Sequence, residues 1–534
     1  MKATDNRRSF LGACLAGGAL ASSASAGAKT QAATRAQGFF NVQDFGAAAT
    51  GQVLATKPLQ AAIDAAGQSG GVVYFPPGTY LSGTLTLRSH VSLHLEAGAV
   101  LLGSKNLEDY PHVQPAIRSY TDNYANQFLI YGENLEDVSL LGRGTINGQG
   151  GSFKRVQQYG NRPFLIRMVN CRHVQVENLT LLDPPMWLQH YLACQDVAIR
   201  GLTIHSRSNA NNDGVDIDGC ERVHISDCLM SSLDDSVTLK STIDRPCRDV
   251  TVTNCVISTD CNAIKLGTES VGGFENVTIS NCAVHDTHLA GIALESVDGG
   301  ALENLNVSHI VMRKVSCPIF LRLGNRARPP YEGAPTPALG SFRNVMISDV
   351  QAVGADKVGC SITGLPERAM ENVTLSNIRL QFSGGGTPAD AAREIPEVPE
   401  HYPEYRMFGT LPAYGLYCRH VKNLRLLDVQ VSFEREDLRP ALVCEDVAGL
   451  RIADFAAPNS NPVMVLRDVR DAWLESSRAP QGNQVYLRLE GQQTENISIA
   501  TNDLRASQKP VDLGPGVRPE SVLVSPPLQP YRGE

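Results

Sequence analysis

A short signature recurs along this chain: one polar residue, most often Asn or Asp, followed by alternating apolar positions. It reads His173-Val174-Gln175-Val176, Asp196-Val197-Ala198-Ile199, Arg222-Val223-His224-Ile225, Asp249-Val250-Thr251-Val252 and Asn276-Val277-Thr278-Ile279. It continues through Asn304-Leu305-Asn306-Val307, Asn344-Val345-Met346-Ile347, Asn372-Val373-Thr374-Leu375 and Asn423-Leu424-Arg425-Leu426. From Val174 to Leu305 the spacings are 23, 26, 27, 27 and 28 residues. A period in the twenties belongs to a solenoid, where each repeat buries its apolar face only against its neighbours. Each repeat holds short period-2 runs of Val, Ile and Thr between Gly, Asn, Asp and Ser turns, with almost no 3.6-residue periodicity. The expected fold is therefore all-β: a parallel β-helix whose coils pair strands above and below. The asparagines before the markers suit turns with unusual backbone angles.

Residues 38–500 are expected to form this single β-helix domain, with residues 501–534 as a C-terminal tail. The one clear helical stretch, residues 58–67, is expected as an N-terminal capping helix, because solenoids need closed ends. With 42% hydrophobic and 19% charged residues, the composition excludes a disordered or collagen-like chain. The marker spacing widens to 40 between Leu305 and Val345 and to 51 between Val373 and Leu424. Pro-rich insertions there, 326–337 and 384–412, read as loops on one face that shape a cleft.

Asn6-Arg7-Arg8-Ser9-Phe10-Leu11, a mild apolar stretch and Ala24-Ser25-Ala26 follow one another as the parts of a twin-arginine export leader. Residues 1–26 are assigned to it, so the mature chain is expected in the periplasm or secreted. Most of the apolar stretch follows Cys14, which disfavours a lipid anchor there, and no later run approaches the roughly 18 apolar residues of a membrane span. The leader carries Lys2, Arg7 and Arg8 against Asp5, so its net +2 takes the chain from -8 to -10 on removal. An acidic body argues against general nucleic-acid binding and leaves room for a local basic column that holds a polyanion. Twelve of the 13 Cys lie beyond the leader, placed mostly within the strand repeats as small core residues would be, with a few disulfides possible. No CxxC pair or Cys/His metal spacing occurs, and a monomer without metal or other cofactor is expected.

The core-facing pairs Val215/Ile217, Val237/Leu239, Ile264/Leu266, Ile292/Leu294 and Leu321/Leu323 set a register, because alternate strand residues face opposite ways. Between them Asp216, Thr238, Lys265, Ala293 and Arg322 face outward, and after them come Asp218, Lys240, Gly267, Glu295 and Gly324. Two residues before each pair, Asp213, Asp235, Asn262 and Ala290 form a third column. Adjacent coils are about 4.8 Å apart, so Asp213 and Asp235 are neighbours and Asp234 lies beside them. A lone Asp in such a turn reads as a coil cap or calcium ligand, but stacked acids raise at least one pKa. One protonated carboxyl for a leaving oxygen and one carboxylate holding water are what inverting glycoside hydrolysis requires.

Asn211-Asn212-Asp213-Gly214-Val215-Asp216 and Leu233-Asp234-Asp235-Ser236-Val237 resemble the Asn-Thr-Asp-Gly and Gly-Asp-Asp motifs of glycoside hydrolase family 28, the polygalacturonases and their relatives. So do Phe40-Asn41-Val42-Gln43-Asp44-Phe45-Gly46-Ala47, the segment from Gly70 to Tyr80, and Pro185-Met186-Trp187. The resemblance spans roughly residues 38–330. It implies a right-handed β-helix, an inverting mechanism and no metal cofactor, with Asp234 as general acid and Asp213 and Asp235 as the pair that activates water.

Two further family motifs are altered. Where Gly-His-Gly should fall stands Cys261-Asn262-Ala263, and where Arg-Ile-Lys should fall stands Ala293-Leu294-Glu295. Lys265 and Arg322, in one outward column, are expected to replace the lost cations by holding a sugar carboxylate, and Glu295 to accept sugar hydroxyls. Asn262, Lys240 and Trp187 complete the substrate-binding candidates; Trp187 fits either a sugar platform or the core, and Arg326 and Arg328 either the cleft or the surface. The expected activity is hydrolysis of galacturonide bonds in pectin or a related acidic polysaccharide. A rhamnogalacturonan or other uronide hydrolase and a non-catalytic carbohydrate-binding β-helix stand as alternatives. The retained acids disfavour a lyase.

Overall fold

The computed structural model describes residues 38–154 and 162–525. The expected export leader, residues 1–26, lies outside the described residues. The strands pair in parallel with their counterparts one coil before and after, which makes the chain a parallel β-helix. The signature residues fall into one unbroken column: Val174 pairs with Val197, Val197 with Val223, Val223 with Val250, Val250 with Val277, and Val277 with Leu305. The column continues through Val345, Val373, Leu424 and Leu450. Where the sequence spacing widens, the extra residues leave the coil as loops and the register is preserved. All these side chains are buried in one core cluster along the helix.

The signature's polar residue has a geometric task. Asn276, Asn304, Asn344, Asn372 and Asn423 all adopt φ between 53° and 58°, a left-handed conformation that Asn tolerates better than most residues. There the side-chain amides bond the preceding coil: Asn423 Nδ2 donates to Asn372 Oδ1 (3.0 Å), Asn372 to Asn344 (2.8 Å), and Asn344 to Asn304 (3.2 Å). One residue type thus turns the backbone and ties successive coils.

The helix runs Thr56–Gly67 and buries Leu59, Ala62, Ile63 and Ala66, one apolar stripe at helical spacing. This stripe joins the core cluster beside Val42 and Val73 of the first coil. At the other end the pairing extends beyond residue 500. Strand Ser507–Leu513 pairs with Asn483–Glu490, and Val522–Val524 pairs with Glu495–Ala500. These final strands expose most of their side chains, so they lack the apolar alternation that marks the inner coils and read as a tail in the sequence.

All twelve cysteines among the described residues are free thiols, eleven of them buried. They are core residues, as their placement in the repeats suggested, and none is paired in a disulfide.

The sequence register holds for four coils and slips at the fifth. Val237 pairs with Ile264, Ile264 with Ile292, and Leu266 with Leu294. Ile292 then pairs with Ile319 and Leu294 with Leu321, which places Arg322 opposite Glu295, not Ala293. Ile319, Leu321 and Leu323 all fit a period-2 pattern, so alternation alone does not detect a shift of two residues.

Candidate active site

Asp213 and Asp235 lie just before strands Val215–Asp218 and Val237–Ser241, which pair with Val215 opposite Val237 and Asp218 opposite Lys240. The turn carrying Asp213 is built by Asn212. Its buried Oδ1 accepts from the Ser208 and Asn209 amides (2.8 and 2.6 Å), and its Nδ2 donates to the carbonyls of Pro184 and Met186 (2.9 and 3.0 Å). One side chain therefore locks the Asp213 turn to the segment that carries Trp187. Gly214 has a steric role: a Cβ there would lie 2.4 Å from the Ser236 carbonyl oxygen of the next coil. The Gly214 amide donates to the Asp235 carbonyl (2.9 Å), and the Asp234 amide to that of Asn212 (3.2 Å).

The three carboxylates then differ in their partners. Asp235 is buried and fully engaged: Asn262 donates to its Oδ1 from both backbone N–H (3.1 Å) and Nδ2 (2.8 Å), and Lys265 Nζ lies 3.0 Å from Oδ2. Burial alone would raise its pKa, but Lys265 and Lys240 outweigh that and hold it at about 2. Asp234 accepts from the Asp235 amide (2.9 Å) and is half-buried at the cleft wall. Burial, and then the charge of Asp235, raise its pKa above the ordinary carboxylate value. Asp213 is buried with Oδ1 unpartnered, and burial together with Asp216 and Asp234 pushes it well up. The arrangement separates one firmly ionised carboxylate from two neighbours whose proton affinity is raised.

Around these acids is a cleft of about 220 Å³ lined by Tyr124, Met186, Trp187, Asn211, Lys240, Glu269, Arg328 and Tyr402. Lys240 Nζ lies 3.4 Å from Asp216 Oδ1, 3.7 Å from Glu269 Oε2, and 4.8 Å from the Trp187 ring centre. Arg328 pairs with Glu269 and packs over the Tyr120 ring, while Arg326 pairs with Asp298. Burial would raise the pKa of Glu269, but Lys240, Arg328 and Arg326 hold it at about 2. Lys240 and Arg328 thus carry positive charge to the cleft wall.

Of the expected substrate contacts, only Lys240 and Trp187 line the cleft. Trp187 stacks on Phe164 (centroids 5.0 Å apart), meets Tyr124 edge-on and lies beneath Lys240, which leaves it 5% exposed. It is a floor under Lys240 more than an open platform. Asn262 and Lys265 are turned onto Asp235, away from the cleft lining. Glu295 is buried, with Thr268 Oγ1 on Oε2 (3.3 Å) and Oε1 unpartnered. Gly267 makes room for it: with φ +112°, a Cβ there would lie 3.0 Å from that of Glu295.

Arg322 is corrected in both column and role. Its guanidinium donates to the carbonyls of Glu397 (2.7 Å) and Gly364 (3.3 Å) and packs over Phe408 (5.3 Å), so it anchors the 385–412 loop instead of facing the cleft. Tyr124, Glu269 and Tyr402 were not anticipated. Tyr124 and Tyr402 sit on excursions from the repeat, and Glu269 follows its strand's core pair, where the β-helix pattern carries no signal. Among the described residues, Asp234, Asp235 and Cys261 bring ligand atoms within 4.8 Å of one another, and the Lys265 ammonium supplies positive charge there.

Comparison with known proteins agrees with this geometry. The profile of Glycosyl hydrolases family 28 matches residues 76–400. A Vitis vinifera protein named "Probable polygalacturonase" is 38% identical over 216 residues, covering 38% of this chain and 44% of that one. "Putative rhamnogalacturonase D" of Aspergillus niger is 30% identical over 221 residues, 41% of this chain and 46% of that one. The chain thus spans less than half the length of these curated relatives. The solved exopolygalacturonase of Thermotoga maritima shares the fold, with a TM-score of 0.56 and 20% identity over 75% of this chain and 91% of that one.

Proposed function

This chain belongs to glycosyl hydrolase family 28, and from that premise we propose that it is an exported, inverting glycosidase cleaving galacturonide bonds in pectin or a related acidic polysaccharide. The observation that carries the reading is the division among three adjacent carboxyls. Asp235 is held ionised by Lys265 and Asn262, whereas Asp234 faces the cleft with its pKa raised. Asp234 donates its proton to the glycosidic oxygen as the bond to the anomeric carbon breaks. A water shared by Asp235 and Asp213 passes a proton to Asp235 while its oxygen bonds to the anomeric carbon from the opposite face, inverting the configuration. Asp235 then releases its proton to solvent and Asp234 regains one.

Lys240 and Arg328 support an acidic sugar, since they bring cations to the cleft where the family's Arg-Ile-Lys motif is absent. The Thr56–Gly67 helix, packed on the first coil, supports the capping role read from the sequence. Rhamnogalacturonan is the second reading. It is favoured by the similarity to the Aspergillus niger protein and by the loss of the Gly-His-Gly and Arg-Ile-Lys matches.

The test is reducing-sugar release from homogalacturonan, rhamnogalacturonan and neutral glycans by the native chain and by Asp234→Asn. Release from one acidic glycan, reduced about 10²–10⁴-fold in the variant, identifies the hydrolase and its substrate. No release from any, with glycan binding intact in both proteins, would overturn hydrolysis in favour of a carbohydrate-binding β-helix. Secretion into the periplasm or medium, lost on Arg7→Lys/Arg8→Lys, tests export.

A further inference from the structure

We infer that Lys265, pinned by Tyr402, is the positioning residue that keeps Asp235 a carboxylate and aims it at the attacking water. This rests on the hydrolase reading above. Position 262, one coil beyond Asp235, is an asparagine that can orient the carboxylate but cannot compensate its charge. Lys265 stands three residues further, in strand Ile264–Ser270, and its buried ammonium reaches Asp235 Oδ2 at 3.0 Å while Asn262 occupies Oδ1. The carboxylate is gripped at both oxygens, which fixes its plane as well as its charge.

A buried ammonium is costly unless its donors are satisfied. Its second partner is the Tyr402 hydroxyl, 3.2 Å from Nζ, with the ammonium 5.4 Å from the centre of the same ring. Tyr402 belongs to the 385–412 loop and lines the cleft, so the grip on Asp235 is completed by a segment in reach of substrate.

The other groups around Asp235 do not substitute for Lys265. Asp213 and Asp216 face it from strand Val215–Asp218 and its preceding turn, and Asp234 and Lys240 from its own coil. Cys261 and Asn262 come from the following coil, Glu295 from the one after, and Tyr402 from the loop. All the titratable groups in that set except Lys240 are acids, and Lys240 adds to the field on Asp235 only from beyond hydrogen-bond distance, engaged with Asp216 and Glu269. Lys265 is the one cation within hydrogen-bond distance of Asp235 among the described residues.

The experiment compares the native full-length chain with Lys265→Met, Lys265→Arg and Tyr402→Phe. It measures kcat and KM against pH on the glycan the native protein cleaves, and follows the Asp235 carboxyl by ¹³C NMR, its signal assigned with Asp235→Asn. In Lys265→Met the acidic limb of kcat/KM and the Asp235 titration should both move up by about 1–3 pH units, the effect of removing an opposite charge at this distance. In that variant kcat should fall far more than KM rises. Lys265→Arg should restore most of the acidic limb, and Tyr402→Phe should shift it in the same direction by less. An acidic limb and titration unmoved in Lys265→Met would overturn the inference, because a purely structural lysine alters stability without moving them. If the native protein cleaves no glycan, the hydrolase reading fails separately and the NMR titration still decides the role of Lys265. If Lys265→Met does not fold, Tyr402→Phe at its exposed position decides, and an unmoved Asp235 titration overturns the proposal.

Discussion

The carbonyl oxygen of Ser236 stands 2.4 Å from where a Cβ on Gly214 would lie. These two residues adjoin Asp235 and Asp213 on stacked coils, so the spacing between the two acids depends on a missing methyl group. Gly214→Ala should force the coils apart at the site, destabilising the chain by about 1–3 kcal/mol as overpacking does. It should also reduce glycan hydrolysis more than the stability loss explains. Denaturant unfolding and kcat on the same preparation check this, and an unchanged kcat would show that the spacing is not critical.

Glu295 is buried with one oxygen unpartnered, and burial raises its pKa from 4.5 to about 7. The folded chain therefore binds a proton there that the unfolded chain releases above its ordinary value. This contribution to stability is present in full at low pH and is lost as pH rises through about 7. Tm should decline between about pH 4.5 and 7, and Glu295→Gln should flatten the decline. Calorimetric scans across that window provide the measurement, with equal slopes in both proteins as the contrary result.

Arg322 holds the 385–412 loop through the Glu397 carbonyl and the Phe408 ring. Arg322→Met should leave buried carbonyls unpartnered, cost about 1–3 kcal/mol, and release the loop from the cleft rim. Limited proteolysis should then cut within residues 385–412 faster than in the native chain, and cleavage at an unaltered rate would show that other contacts hold the loop.

Arg328 meets Glu269 at the cleft wall. A hydrogen bond to a charged partner contributes about 1.5–3 kcal/mol, so Arg328→Gln should raise KM for an acidic glycan roughly tenfold or more with a smaller change in kcat. Binding of a neutral oligosaccharide measured beside it should barely change. Equal losses for both would assign Arg328 to holding the loop instead of the sugar.

The coil repeat was legible from Val174 to Leu424 because alternation, a turn asparagine and a period in the twenties are local signals that each coil carries on its own. The acidic cluster was legible because stacking converts sequence offsets into neighbours: Asp213 and Asp235 sit equivalently before the paired residues Val215 and Val237. Arg322 was misplaced because Ile319, Leu321 and Leu323 satisfy the same alternation in two registers, and only pairing with Ile292 and Leu294 chooses between them. Lys265 was correctly read as facing out of the core, but what an outward residue meets depends on its neighbours, here Asp235 and a tyrosine 137 positions further along the chain. Tyr124 and Tyr402 stand on excursions whose return path no repeat constrains.

The twelve free thiols among the described residues have a consequence for what happens once the fold is lost. Folded, eleven of them lie buried in the core, out of reach of oxidants. Unfolded in an oxidising medium, all of them are available at once to pair in arrangements the coils cannot contain. Refolding then becomes a race between stacking and oxidation, and each wrong cross-link bars the strand that carries it from its coil. Heat-unfolded protein should recover its structure in reductant and fail to do so in air, so that in an oxidising medium its lifetime is set by how slowly it first opens.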